Sequence, residues 1–315
     1  MFVGATAWAG GAGLQAPQEM AVDLTTATGT ISGTLLLPST AARMPVALLI
    51  AGSGPTDRDG NSPMLPGKND SYKLLAAALA ADGIASLRFD KRGIARSASA
   101  GPKEADLRFE TYVDDAAAWI AKLRTDARFS TVTVIGHSEG SLIGMIAART
   151  ANADAFVSMS GIARGAADVL RDQLRPRLPP DLWQTSESIL ASLESGKSPD
   201  IAVPALLAAL YRPSVQPYLI SWFKYIPTVE IAKLSVPVLI IQGTTDMQVA
   251  ADEARALKAA KPNAQLDLVD GMNHVLKAVP ADQAAQVASY SDPSLAIVPE
   301  VPKTIVTFIR GLRRP

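Results

Sequence analysis

Residues 131–148 read TVTVIGHSEGSLIGMIAA: a β-branched, apolar run stops at Gly136 and gives way, after Gly140, to a small-residue run with helical spacing. A polar serine, Ser138, stands where a buried strand should end, between His137 and Glu139. Gly-x-Ser-x-Gly at a strand-to-helix junction is the pattern of a nucleophile elbow. In such a turn the serine backbone is strained so that the hydroxyl clears the sheet, and the glycines vacate space that a Cβ would fill. A helix over roughly 139–150 would then aim its first amides at an oxygen developing negative charge. At ordinary glycine and serine frequencies a chain this long contains about 0.1 such pentapeptides by chance.

The rest of the chain supplies the surroundings such a turn needs. EMAVDLTT and TISGTLLLP bracket a Thr-Gly turn and are expected to pair antiparallel at the start of a sheet. Short, mostly apolar runs follow at 45–51, 84–90, 131–136, 155–160, 236–243 and 264–270. Between them, SYKLLAAALAADG puts Tyr72, Leu75 and Leu79 on one helical face and stops at Gly83, and TYVDDAAAWIAKL does the same with Tyr112, Ala116, Trp119 and Leu123. Strands apolar on both faces, alternating with helices, imply a mostly parallel central sheet flanked by helices, an α/β fold. Residues 162–232 interrupt the alternation with helical fragments, prolines and large apolar groups, and are expected to form an inserted helical subdomain.

Serine is a poor nucleophile without a base, and the base needs an orienting acid. An elbow predicts them downstream in the order Asp/Glu, then His. VLIIQGTTDMQV offers Asp246 just past a strand end, and LDLVDGMNHVLK offers His274 after the next strand, both at the sheet edge where open α/β sheets bind ligands. Asp252 and Asp270 compete with Asp246, as a helix surface charge and a turn residue respectively. His137 is expected to be structural, beneath the loop. For the oxyanion, the backbone N–H groups of Ser53 and Glu139 are the expected pair, with Gly54 competing for the first place, because the strand at 45–51 ends in Gly-Ser-Gly. The charges of DRD (57–59) and FDKRG (89–93) share this edge, where a network of ion pairs holding the loops is a more ordinary use for them than substrate contact.

GHSEG, Asp246, His274 and FDKRG together resemble the α/β-hydrolase superfamily, over roughly residues 20–312. GSGPTDRDG combined with FDKRG is similar to bacterial carboxylesterases near the serine-aminopeptidase-like branch. The resemblance implies an α/β-hydrolase core at 20–161 and 233–315, with 162–232 as a helical cap inserted after the sixth strand. It also implies a serine carboxylic-ester hydrolase with Ser138, Asp246 and His274 as the triad, and implies no cofactor or metal; the prolines that interrupt 162–232 make for a compact cap, so short to medium acyl esters are the expected substrates. Ala51 departs from the family, standing where a histidine often precedes the oxyanion loop. In the insertion Leu170, Leu174, Leu178, Trp183, Leu206, Leu210, Tyr218, Trp222 and Phe223 provide apolar surface, and Trp222 and Phe223 are the expected substrate contacts. A serine peptidase would instead want acidic groups for a substrate amine, Glu187 and Glu194 being candidates, while a non-catalytic scaffold would not need all three triad positions filled.

Composition narrows the partners. Thirty basic and thirty acidic side chains cancel, and no long block of one sign suggests nucleic acid or an anionic membrane surface. There is no cysteine, which excludes a thiol nucleophile and thiolate metal sites, and the two histidines, His137 and His274, do not make a poly-histidine centre. No stretch reaches the ~18 apolar residues of a membrane span. Residues 1–19 form a leader whose apolar core and small residues near Ala16 resemble a secretory signal without its basic start. Export and a Gly/Ala-rich leader with no address both stay open.

Overall fold

The computed structural model describes residues 16–39 and 42–312. Its strands are β1 (Gln18–Thr26), β2 (Gly29–Leu37), β3 (Met44–Ile50), β4 (Ala85–Phe89), β5 (Phe129–His137), β6 (Ala155–Met159), β7 (Val238–Gly243) and β8 (Gln265–Val269). They form an eight-stranded sheet in the order β1-β2-β4-β3-β5-β6-β7-β8. The first hairpin is antiparallel, with Gln18 opposite Leu37 and Thr26 opposite Gly29, and β2 joins β4 antiparallel. Every later pairing is parallel. Most of the segment read as a leader lies outside the described residues, but its boundary needs correcting: β1 already starts at Gln18, and Glu19 pairs with Arg88 across the sheet.

The helices are α1 (Ser71–Ala81), α2 (Phe109–Arg124), α3 (Glu139–Thr150), α4 (Ala166–Leu174), α5 (Pro180–Glu194), α6 (Ala208–Tyr211), α7 (Gln216–Trp222), α8 (Pro227–Ala232), α9 (Ala251–Ala260), α10 (Gln283–Ser289) and α11 (Glu300–Arg310). Alternate side chains of the central strands face opposite ways, as the two-residue period of a strand requires. Val46, Leu48, Ile50, Val132 and Val134 bury against α2 and α3, whereas Ala47, Leu49, Ile135, Val157 and Ile241 bury against α1 and α11. Both faces are therefore dry, which explains why the strands read as continuous apolar runs. No helix among the described residues is long and apolar enough to cross a membrane.

Helices α4 to α8 occupy the interval between β6 and β7. Ile189, Leu190 and Leu193 of α5 and Leu219 of α7 join the same apolar cluster as Phe109 of α2. Phe109 is the main anchor. Its ring stacks on Trp222 with centroids 6.3 Å apart and meets Tyr225 at 5.3 Å, while the Ser221 hydroxyl accepts its backbone N–H at 2.7 Å. Leu174 and Leu178 also pack onto this core, but Leu206 is 80% exposed and contributes nothing to it.

Backbone approaches backbone very closely where β5 turns into α3. A Cβ on Gly136 would sit 2.2 Å from the Gly140 carbonyl oxygen, and one on Gly140 would sit 2.4 Å from that of Ile50. Backbone cannot retreat as a flexible side chain can, so each glycine is set by contact rather than by the turn alone. Gly140→Ala is expected to destabilise the fold by about 3 kcal/mol or more, measured by denaturant unfolding. A loss under about 1 kcal/mol would show that β3 and the turn can separate without consequence.

Candidate active site

Ser138 caps the N-terminus of α3 with φ 54° and ψ −122°, a conformation that side-chain-bearing residues rarely adopt. Its N–H is tied to the Met159 carbonyl at 3.0 Å and its carbonyl accepts from Ser141 N–H at 2.9 Å. The loop after β3 lies directly against it: a Cβ on Gly52 would be 3.1 Å from the Ser138 Cβ. The neighbouring Ser53 is exposed, on the wall of the cavities that Ser138 also lines.

Asp246 and His274, which follow β7 and β8, meet as a hydrogen-bonded couple. His274 Nδ1 lies 2.8 Å from Asp246 Oδ2. A carboxylate can only accept, so Nδ1 carries the proton and Nε2 keeps its lone pair. Burial alone would raise the Asp246 carboxyl. The His274 ring and the backbone N–H groups of Val249 and Gln248 outweigh it and hold the group below the usual carboxylate range. Gln242 adds a further N–H at 3.1 Å. The competitors lie elsewhere: Asp252 pairs with Arg255 on the exposed side of α9, and Asp270 accepts from Thr244.

The turn that carries His274 is fixed by its own neighbours. Asn273 Oδ1 accepts from Val275 and Lys277 N–H, and the Lys277 ammonium, fully buried, donates to the carbonyls of Asn69, Asp292 and Leu295. His137 joins this turn to the elbow. Its Nε2 lies 2.8 Å from the His274 carbonyl, which can only accept, so Nδ1 is the acceptor for the Tyr72 hydroxyl at 2.8 Å. Tyr72 in turn accepts from Gly52 N–H at 3.4 Å. One neutral ring thus links the β3 loop, the elbow and the His274 turn. No sequence spacing signals this, because the partners are separated by long stretches of chain.

Consecutive residues after β4 reach three different elements. Asp90 pairs with Arg58 at 2.6 Å, Lys91 with Glu139 at 3.2 Å, and Arg92 with Asp115. Arg88 meets Asp59 at 3.1 Å. The charges of DRD and FDKRG are therefore largely engaged with one another or with α2 and α3.

Two cavities meet at Ser138. One, of about 110 Å³, is lined by Ser62, Asn69, Tyr72, His274 and Tyr290 among others, polar and apolar groups together. The other, of about 630 Å³, runs beneath the helices between β6 and β7, with Leu107, Leu170, Leu210, Tyr218 and Trp222 in its wall. Phe223 is not in that wall, contrary to expectation. Like Trp222, whose ring centroid is 6.3 Å from its own, it packs on the cluster of Ile162, Ala166 and Val249, but its side chain does not reach the chamber. Glu187 and Glu194 do not face either cavity; both hold Arg171. Tyr218 is a site residue that sequence reading placed only among apolar groups: its hydroxyl donates to Glu139 Oε1 at 2.5 Å.

Comparison with known proteins follows the geometry. Residues 21–290 match the family model described as the alpha/beta hydrolase family. Esterase EstD from Thermotoga maritima is 28% identical over 249 residues, which is 78% of this chain and 58% of EstD. The chain thus spans little more than half the length of that relative. Among solved structures, Est1E from Butyrivibrio proteoclasticus superposes with a TM-score of 0.59 at 17% identity, covering 92% of this chain and 99% of its own. The Pyrococcus furiosus esterase Pf2001 gives 0.57 at 16% identity, covering 93% and 91%. At such identities the structural likeness concerns the fold.

Burial pushes the His137 ring down to about 3, with His274 adding to the shift. An unfolded histidine titrates near 6.5, so between the two values the unfolded chain binds a proton that the folded one refuses. Stability from this site is complete above about pH 6.5 and is lost as pH falls toward 3, with a slope of up to about 1.4 kcal/mol per pH unit. His137→Gln is expected to flatten that part of the curve, as followed by urea unfolding at several pH values. Parallel curves for the two proteins would mean that His137 is not held neutral.

Proposed function

Because the chain belongs to the alpha/beta hydrolase family, we propose that it is a serine carboxylic-ester hydrolase that works through an acyl-enzyme on Ser138. The observation that carries this reading is the proton-bearing Nδ1 of His274 on the Asp246 carboxylate, beside a serine in strained backbone at a helix N-terminus. His274 Nε2 takes the Ser138 proton as the hydroxyl oxygen attacks the ester carbonyl. Asp246 keeps the ring oriented and balances its charge. Ser53 and Glu139 N–H groups receive the oxyanion, and the imidazolium returns its proton to the leaving alcohol. Water, deprotonated by the same ring, then releases the acid. The esterase names borne by EstD, Est1E and Pf2001 agree with this chemistry.

The two cavities give the substrate a direction. The leaving oxygen must reach His274, which lines only the smaller chamber, so the alcohol belongs there. The acyl chain then extends into the larger apolar chamber, under helices α4 to α7 acting as a cap. Each buried methylene is worth about 0.8 kcal/mol, a few-fold in kcat/KM, until the chamber is full. The engagement of Glu187 and Glu194 with Arg171 leaves neither free to hold a substrate amine, which favours an ester over an aminopeptidase substrate.

Ser138→Ala is expected to lower kcat on p-nitrophenyl butyrate by a factor on the order of 10⁴–10⁶, with the fold intact. His274→Ala should match it, and the double variant should be little worse than either, since the residues act as a unit. More than a tenth of wild-type activity left in Ser138→Ala would end this reading. Across a p-nitrophenyl ester panel, Trp222→Ala should move the preferred acyl length upward, whereas Phe223→Ala should lower thermal stability with the profile kept. A shift caused by Phe223→Ala alone would reverse the assignment of the chamber wall.

A further inference from the structure

Both groups proposed to receive the oxyanion are backbone amides, and what aims a backbone amide is whatever holds its peptide plane. For Ser53 N–H that plane also contains the Gly52 carbonyl, which points the opposite way across a planar trans peptide. The Gly52 oxygen accepts a hydrogen bond from the Lys91 ammonium at 2.6 Å. The same ammonium lies 3.2 Å from Glu139 Oε2, and Glu139 carries the second amide. Lys91 is 2% exposed and sits 4.9 Å from the centre of the Tyr112 ring, which adds a cation–π contact on a further side. Glu139 is 4% exposed, and its other oxygen takes the Tyr218 hydroxyl.

A buried ammonium is costly unless its charge is balanced and its donors are used. Glu139 would balance this one at many positions. Only a position between β3 and α3 lets it bind the Gly52 carbonyl as well. That contact does two things to Ser53 N–H. It blocks rotation of the 52–53 peptide, and by withdrawing electron density from the carbonyl it makes the amide a stronger donor.

We propose that Lys91 is the positioning residue of the oxyanion hole: it orients and polarises the Ser53 amide through the Gly52 carbonyl and fixes the Glu139 amide through the carboxylate of the same residue. The inference rests on the assignment of Ser138 as nucleophile. Lys91 lines the larger chamber only marginally, at 2% exposure, and acts through the two amides, so its removal weakens the transition state more than ground-state binding.

The test uses the full chain. Removing the cation alone would leave Glu139 charged and buried, so Lys91→Met is made together with Glu139→Gln and compared with Glu139→Gln. The double variant should lose a further ten- to hundredfold in kcat on p-nitrophenyl butyrate, with KM within about threefold. Affinity for an alkyl trifluoromethyl ketone, which forms a tetrahedral adduct, should fall by the same factor as kcat/KM, and affinity for the unreactive methyl ketone should stay constant. A merely structural role would lower both affinities together. If the methionine variant does not fold, Lys91→Gln supplies a neutral donor to Gly52, with a smaller loss and the same split between the two ketones expected. Equal loss of both ketones, or an unchanged kcat, overturns the inference while an inactive Ser138→Ala leaves the nucleophile assignment standing. An active Ser138→Ala overturns both.

Discussion

The close contact between the β5–α3 turn and the end of β3 is the constraint from which the rest of the site follows. At Gly140 the end of β3 leaves no room for a Cβ, and at Gly136 the turn folds back on itself just as tightly. Squeezing the turn in this way forces Ser138 into positive φ and lifts its side chain out of the sheet. The same contact brings Gly52 against Ser138, so the loop after β3 and the first turn of α3 converge on one point. Strain of this kind costs on the order of 1–3 kcal/mol and persists only where the surroundings over-determine it. Here those surroundings are two dry faces of a parallel sheet.

Around that point the polar groups divide into two sets. On one side the neutral rings of Tyr72 and His137 carry hydrogen bonds from the Gly52 amide to the His274 carbonyl, without charge. On the other, the ions after β4 fan out to Arg58, Glu139 and Asp115. Buried pairs of this sort add little net stability when intact and cost several kcal/mol when one partner is lost. Their effect is to fix relative position, and three adjacent residues fix one loop and the helices α2 and α3 at once. The sheet edge is thus held rigid around Ser138 from several sides.

The sheet was legible in the sequence because its information is local. Apolar runs, glycine stops and the helical spacing of Tyr72, Leu75 and Leu79 depend on near neighbours, and the strands and helices occur where those patterns fall. Asp246 and His274 were legible because chain order and strand ends limit the candidates. What sequence could not give was which distant group each polar side chain would find. His137 was expected beneath the loop, but its partners on Tyr72 and the His274 carbonyl are not spacing relations. Phe223 shows the same limit on a smaller scale: one residue further along a helical turn rotates a side chain by about 100°, enough to take it out of the chamber wall that Trp222 lines, although both rings pack on the cluster of Ile162, Ala166 and Val249. The leader was placed two residues too far because Gln18 and Glu19 are polar on an edge strand, where composition does not distinguish strand from tail.

The hydroxyl of Tyr218 on the Glu139 carboxylate has a further consequence for how such a chain can diversify. Tyr218 lines the larger chamber, yet its polar end terminates in the ion pair beside Ser138, the proposed nucleophile. A mutation that enlarges the chamber there also disturbs the charge balance beside the chemistry, so breadth of substrate and speed of turnover are mutationally coupled at that residue. Leu170 and Leu210 line the same chamber through aliphatic side chains that carry no such polar link. Lineages that change substrate without losing rate should therefore accumulate their replacements at the aliphatic wall and leave the tyrosine in place.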